Sequence, residues 1–128
     1  MYRVELPWPD SSLSPNSRPH WAKKAKATKT AKGVAAVLTR VEVVTRPKWP
    51  RVFLEWTFHP KTANAVDKDN CIASCKAYHD GIAIALGIDD SLFETTYHIG
   101  QVVKGGKVVV TIKPIEITAW GDLPGNGE

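Results

Sequence analysis

Between Val66 and Asp90 the chain reads V-D-K-D-N-C-I-A-S-C-K-A-Y-H-D-G-I-A-I-A-L-G-I-D-D. Asp67 and Asp69 stand at one end with Asn70 behind them, and Asp89 and Asp90 stand at the other. Carboxylates brought together repel unless a cation sits among them. A carboxylate-bound Mg²⁺ or Mn²⁺ stabilises charge on a phosphoryl oxygen and generates a nucleophilic water at neutral pH. That is the chemistry of phosphodiester hydrolysis, and the amine of Lys76 would neutralise a phosphate oxygen in it. Asn70 suits capping or orienting the loop better than ligation. Cys71, Cys75 and His79, at i, i+4 and i+8, raise zinc as a second possibility. No fourth ligand accompanies them, and cysteine is often simply a buried residue.

The stretch reads as one helix. Ile72, Cys75, His79, Ile82 and Leu86 fall in a stripe roughly 80° wide at about 100° per residue. Asp69, Lys76 and Asp80 fall in a separate strip along the border of that flank. Gly87 stands where a C-cap is expected. The acids at the helix start suit its dipole, whereas the pair beyond its far end needs another reason. If the chain folds back, the two acidic groups can meet.

Charge is distributed unevenly. The net formal charge is +4, but residues 18–51 carry ten Lys or Arg against one acid, for +9. Residues 52–128 sum to −4 and residues 1–17 to −1. A basic segment beside an acidic centre has a use on nucleic acid: the bases hold phosphates while the acids hold a metal. Arg18, Lys23, Lys24, Lys26 and Lys29, together with Lys76, are the candidate DNA-binding residues. A solubilising lysine face is the competing explanation. Of the tryptophans, Trp8 and Trp21 flank the basic loop and are the best placed to stack on bases, whereas Trp49 and Trp56 suit core or interface anchors.

The 128 residues, 43% hydrophobic and 23% charged, fit a single domain over residues 1–118 with a loose tail from 119 to 128. No apolar run approaches the ~20 residues of a membrane span, and the first residues lack a signal peptide's apolar core. A cytoplasmic protein is expected, in keeping with two cysteines four apart on a helix.

Tyr2–Leu6 reads as a strand, Asp10–Pro19 as a loop, and Trp21 to about Thr45 as a helix. Arg51–His59 alternates as a strand with Val52, Leu54, Trp56 and Phe58 on one face. Residues 95–104 and 107–113 read as two strands joined at Gly105-Gly106 as a hairpin. The order β-α-β-α-β-β predicts a two-layer α+β domain, with a four-stranded mixed or antiparallel sheet and two helices on one face.

L-P-W-P near the start, D-x-D-N before a helix, K-x-x-x-D within it, D-D after it and a K-G-G-K turn occur in this order. The set resembles the RusA family of Holliday junction resolvases over most of the chain, from Leu6 to about Lys113. The resemblance implies a Mg²⁺- or Mn²⁺-dependent homodimer that nicks opposed strands of a four-way DNA junction. It implies Asp67, Asp69 and Asp90 as the essential acids and metal ligands, with Asp89 as the alternative to Asp90. The family's functional lysine lies three positions after the asparagine, where this chain has Ala73. The basic residue here is Lys76, which keeps the family's spacing to Asp80.

The sequence therefore reads as a metal-dependent, structure-specific endodeoxyribonuclease with Asp67, Asp69, Asp90 and Lys76 as its catalytic set. The rivals are a DNA-binding module without catalysis, in which the acids cap helices, and a nuclease of the same chemistry acting on flaps or forks. Because opposed nicks need two sites, a homodimer is expected, with Trp49, Phe93 and the outer face of the hairpin at Val108 and Val110 as its contact.

Overall fold

Alternation sends Val52, Leu54, Trp56 and Phe58 to one face of β2 (Arg51–His59), and all four are buried. The computed structural model describes residues 1–45, 47–64 and 66–115; the tail expected from 119 lies outside them. Three further strands complete the sheet: β1 (Tyr2–Pro7), β3 (Phe93–Ile99) and β4 (Lys107–Ile115), in the order β1-β4-β2-β3. Strand β4 runs antiparallel to both of its neighbours, whereas β2 and β3 pair in parallel with Val52 opposite Phe93 and Trp56 opposite Tyr97. The domain is the expected two-layer α+β structure with a mixed four-stranded sheet.

The hairpin is not formed. Gly105 and Gly106 do turn the chain, both with positive φ, but the strands on either side of them are not neighbours. Strand β3 pairs with β2 at the sheet edge, and the connection then passes the end of β2 to insert β4 on its far side. Backbone bonds from Gly100 N to Phe58 O (2.8 Å) and from Val103 N to Pro60 O (3.0 Å) hold that passage. Insertion buries Val108 and Val110 completely against the helices. They belong to the core, not to an outer surface, which corrects the expected dimer contact there. Trp49 and Phe93 are half-buried and pack against the same core, Trp49 in a stack with Tyr2.

The first helix, α1 (Trp21–Glu42), ends three residues earlier than its apolar spacing suggested. The central helix is two helices, α2 (Lys68–Ser74) and α3 (Lys76–Leu86), separated at Cys75 (φ −100°, ψ 10°). A cause is visible one residue earlier. The Ser74 hydroxyl donates to the Asn70 carbonyl (2.8 Å), a back-bond of the kind that bends helices. Gly87, in the left-handed region, caps α3 as expected.

Helices α1 and α3 lie side by side on the sheet, and Gly81 sets how closely they approach. A Cβ at Gly81 would stand 2.3 Å from the Lys32 carbonyl oxygen and 2.9 Å from Ala35 Cβ. Backbone cannot give way as a flexible side chain can, so overpacking here is costly. Gly81→Ala is expected to destabilise the fold by about 2 kcal/mol or more, lowering Tm on the order of 5–10 °C. A thermal melt followed by circular dichroism checks this; an unchanged Tm would mean the helices are not in contact at Gly81.

Candidate functional site

The break at Cys75 leaves α2 with two working faces. Ile72 and Ala73 face a cavity of about 290 Å³ that is also lined by Cys75 at the break and by Lys76, His79 and Asp80 of the following helix. Trp56 of β2 and Tyr97 of β3 close its floor, and Asp90 enters from the turn ahead of β3. Lys76 and Asp80, one turn apart on α3, thus face the same space as Asp90. Asp69 is exposed in the first turn of α2, one turn before Ile72 and Ala73 on the face that borders this cavity.

Asp67 goes the other way. It lines a second cleft of about 310 Å³ with Asn70, Cys71 and Ser74 from α2 and with Trp8, Pro9 and Asp10 from the loop after β1. Its carboxylate is the N-cap of α2, accepting from Asp69 N (2.9 Å) and Asn70 N (3.3 Å). The two aspartates of D-x-D-N therefore serve opposite sides of one short helix. Among the described residues no group of three or more His, Cys, Asp or Glu side chains is placed to hold a metal ion. Asp67, Asp69 and Asp90 are not gathered into a single protein-built cluster. Cys71, Cys75 and His79 are likewise divided: Cys71 borders the second cleft, the other two the first. Burial raises both thiols above their ordinary range, which keeps them protonated.

The D-D pair is resolved in favour of its second member at the cavity. Asp89 is exposed and caps the short turn at Asp90–Leu92, accepting from Ser91 N at 2.8 Å, and that bond pulls its carboxyl below the usual range. Asp90 is the one that lines the cavity. The strands also set Asp90 apart from the D-x-D-N end of the crossover. Parallel pairing returns the chain to the amino end of β2, so Asp90 enters beside Phe93. Lys68, next to Asp67 and Asp69, reaches the carbonyl of Tyr97 (3.4 Å), four residues further along β3. Four residues of parallel strand span about 13 Å.

The cavity floor was not evident in the sequence. His79 stacks on Trp56 (centroids 6.2 Å, interplanar angle 4°) and tilts against Phe93 (5.2 Å). Trp56 is only 1% exposed, and its Nε1–H has no hydrogen-bond partner among the described residues. An orphaned donor at this depth suits a water or an acceptor on a ligand. Alternation placed Trp56 inward, but nothing local tells that Tyr97 and His79 would lie against it, with Phe93 beyond His79.

The DNA-binding candidates on α1 are all exposed: Lys23, Lys24, Lys26 and Lys29, with Arg18 just ahead. They crowd the amino end of a 22-residue helix capped by His20, where the helix dipole adds further positive potential. Lys23 and Lys26 turn toward the loop after β1, while Lys24 and Lys29 lie beside Trp21.

A mixed four-stranded sheet covered on one face by helices, with two carboxylates and a lysine lining a cavity beside its βαβ crossover, defines an α+β domain with a charged cavity. No family model matches the chain. It is 43% identical over 119 residues to an uncharacterized protein of Xylella fastidiosa (strain Temecula1 / ATCC 700964), covering 90% of this chain and 78% of that one. The chain belongs to the same family as that protein. Among the described residues no helix is long and apolar enough to cross a membrane.

The cavity's electrostatics can be checked directly. Burial lowers the His79 pKa below the ordinary 6.5, while Asp90 and then Asp80 raise it and Lys76 lowers it. In the absence of divalent metal, Asp90→Asn removes a raising charge, so the His79 midpoint is expected to move down further. Imidazole NMR titrations of the two proteins measure this; an unmoved midpoint would place Asp90 away from His79.

Proposed function

We propose that this protein is a metal-dependent endonuclease that nicks branched DNA, with the four-way junction as its main substrate. The observation that carries the reading is the cavity shared by Asp90, Asp80 and Lys76, flanked by a D-x-D-N segment and set in a chain with a strongly basic α1. The ordered resemblance to the RusA family supports the same conclusion.

The donor set fits a hard divalent cation without a three-carboxylate cluster. Mg²⁺ commonly takes one or two carboxylates, keeps several waters and completes its shell with substrate phosphate. Asp90 would hold it, and Asp80, which lines the same cavity, is placed to supply the second carboxylate, with Asp69 on the α2 face that borders the cavity. Bound there, the cation supplies charge neutralisation at a phosphoryl oxygen and lowers the pKa of a bound water. Lys76 places an ammonium where a non-bridging phosphate oxygen carries charge. His79, held neutral near pH 7 by burial, can accept or donate a hydrogen bond at the cavity floor without adding charge. Asp67 holds the α2 amino terminus, and with it the direction in which Asp69 points.

A specific observation favours the rival reading of a DNA-binding module without catalysis: Asp67 and Asp89 both act as caps. Nicking of a synthetic four-way junction decides between the two. Cleavage is expected with Mg²⁺ or Mn²⁺ and none in excess EDTA. Asp90→Asn and Asp69→Asn should lose nicking by about 100-fold or more while DNA binding persists or tightens, since each removes negative charge near phosphate. Asp89→Asn should be mild. Lys76→Ala should slow nicking by about tenfold to 100-fold. Cutting that survives EDTA, or binding without any cutting in either metal, would sink the nuclease.

Opposed nicks need two sites, so the protein acts as a homodimer. With Val108 and Val110 in the core, an apolar surface open to a second copy is the outer side of α1, where Val37 (57% exposed) and Val41 (62%) lie one turn apart. Sedimentation equilibrium at micromolar concentration is expected to report twice the 14.1 kDa chain mass. A monomer that stays monomeric on a junction would point to a nickase acting on one strand at a time.

A further inference from the structure

The Trp8 side chain stands on a ridge between two clefts. On one side lies the 310 Å³ cleft containing Asp67 and Asn70. On the other lies a larger cleft of about 470 Å³, lined by Lys23, Lys26 and Ala27 of α1, by Leu13, and by Tyr78 of α3. The geometry points to Trp8 as a stacking platform for an unstacked base of bound DNA, at the ridge joining the Lys23–Lys26 cleft to the Asp67 cleft. This assignment rests on the DNA-binding reading above and adds to it a site and a nucleotide state.

Four observations converge on it. The ring is half-buried and seated, not free: it packs against the core. The seat depends on Gly106, where a Cβ would come within 3.0 Å of Trp8 Cβ and 3.1 Å of Cγ, in a turn whose φ is +72°. The Tyr78 hydroxyl donates to the Pro7 carbonyl (2.7 Å), tying the residue before Trp8 to α3, and burial pushes that phenol up to about 12, so it remains a donor. The loop beyond is held too, because Asp10 accepts from Ser12 N (2.9 Å) and Ser12 Oγ (2.6 Å). An aromatic ring fixed in this way stacks with little entropy to lose, and every base has a face to offer it.

The larger cleft's chemistry matches one nucleotide. It is lined by apolar Leu13, Ala27, Ala31 and Val34 and by two cations, Lys23 and Lys26, against one carboxylate, Asp10, which leaves it net positive. A base against the apolar side chains and a phosphate at the lysines satisfy both. A paired base is stacked on both faces within its duplex and offers none to Trp8. Branch points and single strands do, so the platform selects DNA whose bases are open.

The test uses the full chain in EDTA, so that no strand is cut. The probes are a fluorescein-labelled dT12 oligonucleotide and a labelled four-way junction. Trp8→Ala is expected to weaken dT12 binding by about tenfold or more, the scale of one lost base–aromatic stack, and Trp8→Phe to retain most of it. Addition of unlabelled dT12 should quench the wild-type tryptophan fluorescence. In Trp8→Phe that quenching should largely vanish although anisotropy shows binding. The quenching arm stands even if Trp8→Ala fails to fold. Tight binding of dT12 by wild type with quenching unchanged in Trp8→Phe would overturn the platform and leave the DNA reading standing. If wild type binds neither probe, the DNA reading fails and the platform fails with it.

Discussion

The parallel pairing of β2 with β3 governs the rest of this structure. Parallel neighbours cannot be joined by a tight turn, so the chain between them must cross the sheet, and α2 and α3 form that crossover. Every residue of chemical interest from Asp67 to Asp90 lies on this one connection. Its two ends are delivered to different places along β3. The register of Trp56 with Tyr97 sets the cavity floor, and the acids and the lysine are arranged above it.

A second constraint comes from β4. Inserted between β1 and β2, it is antiparallel to both and fully paired, and it makes β1, β2 and β3 run in one direction. The insertion buries Val108, Val110 and Ile112 under the helices. It also brings the Gly106 turn under the loop after β1, where it seats Trp8. The sheet's other face carries polar contacts such as Arg51–Glu94 (3.2 Å) and Lys113–Glu55 (3.6 Å), which contribute little stability at this exposure but keep that face solvated. All helix packing is therefore on one side, and α1 must lie close to α3 across Gly81.

The short helix α2 is where local chemistry and global placement meet. A seven-residue helix has little stability of its own. It is held by Asp67 at its start and ended by the Ser74 back-bond, and it presents one side to each cleft. An unbroken helix would have carried Ile72 and Cys75 in the same stripe as Ile82 and Leu86. The break lets Cys75 stay buried while Ile72 turns to a cavity wall.

Much was legible in the chain alone because it depends on period and on local capping. The inward face of β2, the start and body of α1, the cap at Gly87 and the α+β class all follow from residues within a turn or two of each other. So does the charge contrast between α1 and the acids of the crossover. What the sequence could not determine is which strands become neighbours. Gly105-Gly106 favours a turn but says nothing about whether the strands it separates pair, since that depends on whether β2 offers a better edge on each side. The same tertiary choice decided that Val108 and Val110 are core and that Asp90 and not Asp89 lines a cavity with Lys76. Strand neighbours are settled by burial of a shared apolar face across the whole domain, a sum over residues far apart in the chain, and no single stretch of sequence contains it.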